Sequence, residues 1–238
     1  MHMSNRSITS QEYKLMLKAE RFQNRTEGSN GFMTLVATLV ENQGGQTTKS
    51  FHEKERRVWY LDTPTFALRQ NGFILRLRSE MEATKPFNLT LKCRHSDRYL
   101  AASTKVSVSE EAEATYKEDR GDIESKFEAD ILGQSVGKFS HSTSIRMNKY
   151  PELRTVAEIA AIFPVLEALP VNKDTPIVVV NGFEAYEIKC EAGEIDFGQK
   201  PKVKPCLSFG IDLIEQTVRH SWQNSLLITM FRIRKEND

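Results

Sequence analysis

"YLDTPTFALRQNGFILRLRSE", Tyr60 to Glu80, opens as a strand, breaks at Asp62-Thr63-Pro64 and returns to an alternating pattern. In its second half Phe73, Leu75 and Leu77 line one face and Arg76 and Arg78 the other, because successive strand side chains point to opposite sides. Between the halves, Pro64 suits the first turn of a short helix over roughly 65–70 that Gly72 stops. A strand that turns two guanidinium groups the same way, with only Glu80 near to pair them, asks for anions across from it.

Working outward, "LTLKCR" (Leu89–Arg94) repeats the device with Lys92 and Arg94, and "SQEYKLMLK" adds Lys14 beside Glu12. Further strands are predicted at about 49–61 and 124–132, with three or four over about 175–216, by the same periodicity. Helices are predicted at about 29–41, at the capping box Thr155-Val156-Ala157-Glu158, and at about 218–233. The pattern predicts an α+β, mainly β chain: a closed antiparallel β-barrel with peripheral helices, in a single domain over 1–238. Residues 96–123, with Glu110, Glu111 and Glu113, read as a polar surface excursion carrying a short strand near 105–108.

If the basic strands close with those faces inward, Lys14, Arg76, Arg78, Lys92 and Arg94 project into one cavity. Such charges are too costly in a low-dielectric space unless water, acids and a polyanion share it. Acids stand on similar strands: Glu128 and Asp130 in "KFEADI", Glu12, and Asp212 in "FGIDLIE". Carboxylates without a matching histidine or cysteine suit a hard divalent cation, Mg2+ or Mn2+. Cations for phosphates and carboxylates for a metal describe phosphoryl transfer or phosphate hydrolysis.

The bulk properties exclude several classes. A formal net charge of +1 argues against nucleic-acid binding driven by overall charge. The three cysteines form no disulfide or zinc pattern and read as buried thiols of a cytoplasmic protein. No apolar run reaches membrane-spanning length, and Met1–Ser10 lacks the apolar core of a secretory signal. "GQSVGKFS", Gly133–Ser140, fails as a phosphate-binding loop: its glycines are too close, and Phe139 follows the lysine where Ser or Thr is required. It is read as a loop or helix start.

Together, "YLDTPTFALRQNGFILRLR", "LTLKCR" and "EIDFG" resemble the CYTH superfamily, the triphosphate tunnel metalloenzymes, in an order that spans most of the chain. The resemblance implies a closed antiparallel tunnel that binds triphosphate substrates and divalent metal. It implies that Lys14, Arg76, Arg78, Lys92 and Arg94 bind substrate phosphates, and that Glu12, Asp212, Glu128 and Asp130 hold metal or orient water. Glu12, Lys14, Lys92 and Arg94 are the catalytic candidates. The expected partner is a small phosphorylated substrate, inorganic tripolyphosphate or an organic triphosphate such as thiamine triphosphate. The chain departs from the family at Ser10, where its first strand carries an acid, and at Gly210, where its last strand carries a second. "IVVVN" (Ile177–Asn181) also lacks an expected cation. The departures at Ser10 and Gly210 keep one alternative open, a noncatalytic triphosphate-binding or nucleotide-binding module; an adenylate cyclase would use the same residues and differ only in product.

Overall fold

The computed structural model describes residues 7–48, 52–81, 86–118, 122–132, 135–198, 203–212 and 228–236, with backbone alone for 117–118, 132, 135–136, 211–212 and 228–236. In chain order, β1 (Ser10–Leu17) is followed by α1 (Arg25–Asn42), β2 (Gln46–Thr47), β3 (His52–Asp62) and α2 (Ala67–Gln70). Next come β4 (Phe73–Glu80), β5 (Phe87–His95), α3 (Arg98–Ser103) and α4 (Glu110–Glu118). The remainder is β6 (Ile123–Leu132), β7 (Ser135–Met147), α5 (Val156–Ile162), β8 (Val178–Glu191), β9 (Ile195–Asp196), β10 (Val203–Asp212) and β11 (Ile228–Glu236). The strands belong to one eleven-stranded sheet. The chain is therefore α+β and mainly β, as its periodicity predicts. It divides into two compact units, residues 1–8, 56–128 and 138–184, and residues 9–55, 129–137 and 185–238.

In the first unit β7, β5, β4 and β3 are successive neighbours, with antiparallel registers along β3–β4, β4–β5 and β5–β7. One face of these strands is aliphatic. Leu75, Leu77, Leu89, Leu91 and Ile145 pack there with Val156, Ile159, Phe163 and Leu166 from α5 and the turn after it. Each such fully buried side chain contributes about 1.5–3 kcal/mol, so this face anchors the unit. α5 starts at the predicted capping box: Thr155 Oγ1 accepts from the Glu158 amide at 3.4 Å and Glu158 Oε2 accepts from the Thr155 amide at 3.0 Å.

The Asp62-Thr63-Pro64 break is a cap built from a buried carboxylate. Asp62 is 4% exposed. Its Oδ1 accepts from the Thr63 and Leu68 amides at 2.7 and 2.9 Å, and its Oδ2 from the Arg69 amide at 3.0 Å. Thr63 Oγ1 takes the Ala67 amide at 2.8 Å. These oxygens satisfy the orphan donors of α2, and Gly72, at φ +79°, turns the chain into β4.

In the second unit β11 pairs with both β1 and β10, and β10 pairs also with β8 and β9. α1 packs Phe32, Met33 and Val36 against Phe22, Ile188, Leu207 and Phe209. Asn24 caps its start, accepting from the Glu27 amide at 3.2 Å. Its end is turned by Gly44 at φ +78°.

Three expectations are corrected. Residues 228–233 are not helical: they lie in β11, where "ITMFRIRKE" has the two-residue period of a strand and finds partners on both edges. The rest of that predicted helix, 218–227, falls outside the described residues. The segment near 105–108 forms no strand. Val106, fully buried, pins it to the aliphatic cluster between α3 and α4. The acids Glu110, Glu111 and Glu113 occupy the first turn of α4, where the helix dipole favours them. "GQSVGKFS" is neither loop nor helix start from Ser135 onward, but the beginning of β7; Gly133 and Gln134 lie outside the described residues.

Candidate functional site

In the first unit, the sheet face opposite the aliphatic one is polar and cationic. Register places side chains directly across neighbouring strands on a common face. Tyr60, Arg76, Thr90 and Ser144 form one such row, and Val58, Arg78, Asn88 and Arg146 the next. Lys92 stands opposite Ser142, and Arg94 opposite Ser140. The Nε atoms of Arg76, Arg78 and Arg94 are shielded from solvent. Thr90 Oγ1 and Ser144 Oγ, 2.9 Å apart, tie β5 to β7 on this face. Lys92 Nζ meets Glu128 Oε2 at 3.4 Å, with both side chains largely buried.

The second unit carries an acid–base cluster. Lys14 Nζ lies 2.7 Å from Glu12 Oε2 and 2.7 Å from Asp130 Oδ1. Asp130 is 1% exposed. At that burial a carboxylate stays charged only with close compensation, and the ammonium supplies it. Glu128 and Asp130 are two residues apart on β6, hence on one face of one strand. The strand alternation read from "KFEADI" is thus realised: Phe127 and Ala129 are buried on the other side.

Among the described residues, no three His, Cys, Asp or Glu side chains are grouped to hold a metal ion by themselves. A magnesium-type ion, however, is commonly bound by one or two carboxylates plus phosphate oxygens and water. In this structure Glu12 and Asp130 both contact the Lys14 ammonium. Asp212 is the last residue of β10, opposite Ala185, and its side chain lies outside those described. Ser10, in place of a family acid, is buried at 2% exposure. Gly210 stands opposite Glu187 on β8 and Ile228 on β11.

All three cysteines are buried free thiols, and burial pushes Cys93 up and Cys190 up to about 12. His141, buried, bonds through Nδ1 to the Thr104 carbonyl oxygen at 2.7 Å and is structural.

Several residues of the cationic face escape a strand-by-strand reading. Arg56, Asn88 and Arg146 line a small hollow with Arg78 and Glu80. The sequence signal of the two arginines is alternation in "KERRVWY" and "HSTSIRM", and what joins them with Asn88 is register between strands distant in sequence. On β11, Arg232 and Arg234 occupy the register positions opposite Lys14 and Glu12, repeating the Arg-x-Arg spacing of β4.

The family model for the CYTH domain matches residues 12–196 of this chain. No curated protein matches it significantly. Among solved structures, it is similar to a Hippeastrum protein described as an adenylyl cyclase candidate that reveals a dominant triphosphatase activity, at 12% identity and TM-score 0.45 over 95% of this chain and 78% of that one. An adenylate cyclase candidate from Bacillus halodurans matches at 16% identity and TM-score 0.38, over 97% and 82%. One from Vibrio parahaemolyticus matches at 12% identity and TM-score 0.35, over 98% and 79%.

Proposed function

The chain belongs to the CYTH domain family, and from that membership we propose that it hydrolyses a linear triphosphate in a closed, tunnel-like sheet with the help of a divalent cation. CYTH proteins bind triphosphate substrates and are generally metal-dependent. The observation that carries the reading is the segregation on β4 and β5: Leu75, Leu77, Leu89 and Leu91 fill one face, and Arg76, Arg78, Lys92 and Arg94 share the other.

In this reading the four cations of β4 and β5 neutralise the non-bridging oxygens and hold the phosphate chain extended. Lys14 binds the terminal phosphoryl group. Glu12, beside it, orients the attacking water and accepts its proton. Water attacks the terminal phosphorus, the bridging P–O bond breaks, and orthophosphate departs from pyrophosphate or from the organic diphosphate. Glu12 and Asp130, with Glu128 and Asp212 as the further acids, would hold a magnesium or manganese ion, which when bound supplies charge neutralisation at the phosphate oxygens.

The test is phosphate release from tripolyphosphate, thiamine triphosphate and ATP with each metal, against a Lys92→Ala/Arg94→Ala control. Metal-dependent release that the control abolishes is expected. Product no greater than in the control refutes hydrolysis, and cyclic AMP as product assigns cyclase chemistry instead. A second reading, a binding module without turnover, is favoured by one observation: Glu12 and Asp130 are already compensated by Lys14. It predicts calorimetric binding of tripolyphosphate that survives chelator and yields no product.

A further inference from the structure

The polar face of the first unit carries a ring that phosphate binding does not call for. Tyr60 stands in the row of Arg76, Thr90 and Ser144. Among the described residues of β3, β4, β5 and β7 in this unit, it is the one Phe, Tyr or Trp on that face. The other such side chains of these strands turn away: Trp59, Phe73 and Phe87 join the aliphatic cluster, and Phe139 stacks on Phe127. Tyr60 is 39% exposed, and its hydroxyl has no hydrogen-bond partner among the described residues. A tyrosine kept for structure buries its ring and pairs its hydroxyl; this one does neither.

Its neighbours divide the face by chemistry. Ile74, half-buried, stands two residues before Arg76 and is therefore diagonal to Tyr60 across β3 and β4. Such neighbours lie ~7–8 Å apart, within reach of an aromatic side chain. Lys92 and Arg94 stand on β5, two strand spacings from β3, or ~10 Å. Apolar surface thus borders the cations on the β3 side, whereas Ser140, Ser142, Ser144 and Arg146 on the β7 side are all polar. Inorganic phosphate gains nothing from an accessible ring beside its cations. A planar ring gains by stacking on one, and a ring joined to a triphosphate has the same division of chemistry as the face.

Resting on the triphosphate reading above, we propose that Tyr60 is a specificity-determining residue that takes the planar ring of an organic triphosphate, so that such a substrate is preferred to inorganic tripolyphosphate. The test is calorimetric affinity of the full chain, in chelator, for ATP, thiamine triphosphate, ring-free ribose 5-triphosphate and tripolyphosphate. In the native protein at least one ring-bearing ligand is expected to bind about tenfold more tightly than ribose 5-triphosphate, within the range of one ring stacked on an aromatic side chain. Y60L should lose that gain, while its affinity for the two ring-free ligands changes by less than about twofold. Y60F, which keeps the ring, should retain it. Thermal melting without ligand checks that both variants fold, and the comparison within the native protein needs neither. Equal native affinity for ring-bearing and ring-free triphosphates overturns the role of Tyr60 and leaves the triphosphate reading standing. A gain that survives in Y60L places the ring elsewhere and overturns it as well. So does a parallel loss for all four ligands in Y60F and Y60L, which assigns the hydroxyl to the phosphates. Failure to bind any of the four removes both readings.

Discussion

Asp62 shows how one residue sets the start of a strand through backbone contacts alone. Its carboxylate takes three backbone amides around the start of α2, and that fixes where the chain turns before β4. The resemblance to a known family rests largely on this break, and the structure gives it a mechanical meaning: Asp62 and Thr63 cap, and Arg76 and Arg78 then emerge on the polar side. Asp62→Ala leaves those amides buried without their acceptor and should cost about 2–3 kcal/mol. Asp62→Asn, which keeps one carbonyl acceptor, should cost less. Urea midpoints of both variants measure this, and a loss below about 0.5 kcal/mol for the alanine variant, the level of an ordinary surface change, would mean the cap does not hold the turn. The Asp-Thr-Pro break was readable as a turn from its residue types. That its oxygens serve helix amides could not be read, because capping geometry depends on where Leu68 and Arg69 come to lie.

At the scale of elements, period-two patterning found β1, β4, β5 and β6 closely, since each is half aliphatic and half polar. It failed where the partner decides. The pattern predicts a helix to about residue 233, but strands on both edges make Ile228–Glu236 β11. β7 was missed because Ser140, Ser142 and Ser144 carry no hydrophobic signal on their side, and its register against β5 brings Arg146 beside Asn88. β8 offers a pH test of its packing. Cys190, fully buried, donates through Sγ to Glu53 Oε1 at 3.4 Å. Burial first, and Glu53 second, push its thiol from 9.0 up to about 12. The folded chain therefore binds this proton more tightly than the unfolded chain, and no stability depends on it below about pH 9. As pH rises from 9 toward 12 the unfolded state loses the proton first, so stability must fall. Urea denaturation should show a loss of roughly 1 kcal/mol between pH 8 and pH 10, reduced in Cys190→Ala. An identical slope in that variant would assign the loss to other groups, Tyr186 foremost, which is likewise raised to about 12.

Across the whole molecule, 33 Lys and Arg against 32 Asp and Glu give a formal charge of +1, yet that balance hides a sheet face crowded with cations. Composition alone cannot reveal such segregation; alternation on β4 and β5 did, and register then added Arg56 and Arg146. Cations gathered on one face repel one another in the folded state, and the unfolded chain disperses them. An anion that binds there must stabilise the fold by linkage, whether or not it is hydrolysed. At a hundred times its dissociation constant, tripolyphosphate should add about 2.7 kcal/mol to the unfolding free energy. The effect should shrink as added salt shortens the screening length from ~10 Å at 0.1 M to ~3 Å at 1 M. Measured by thermal melting in chelator, so that no turnover intervenes, the native protein should gain stability and Arg76→Ala/Arg78→Ala should gain much less. Orthophosphate at the same concentration should do little, because it cannot engage several cations along the strands at once. An equal shift in the native and doubly substituted proteins would show that the anion acts elsewhere on the surface, and the polar face of β4 and β5 would then lose its assignment.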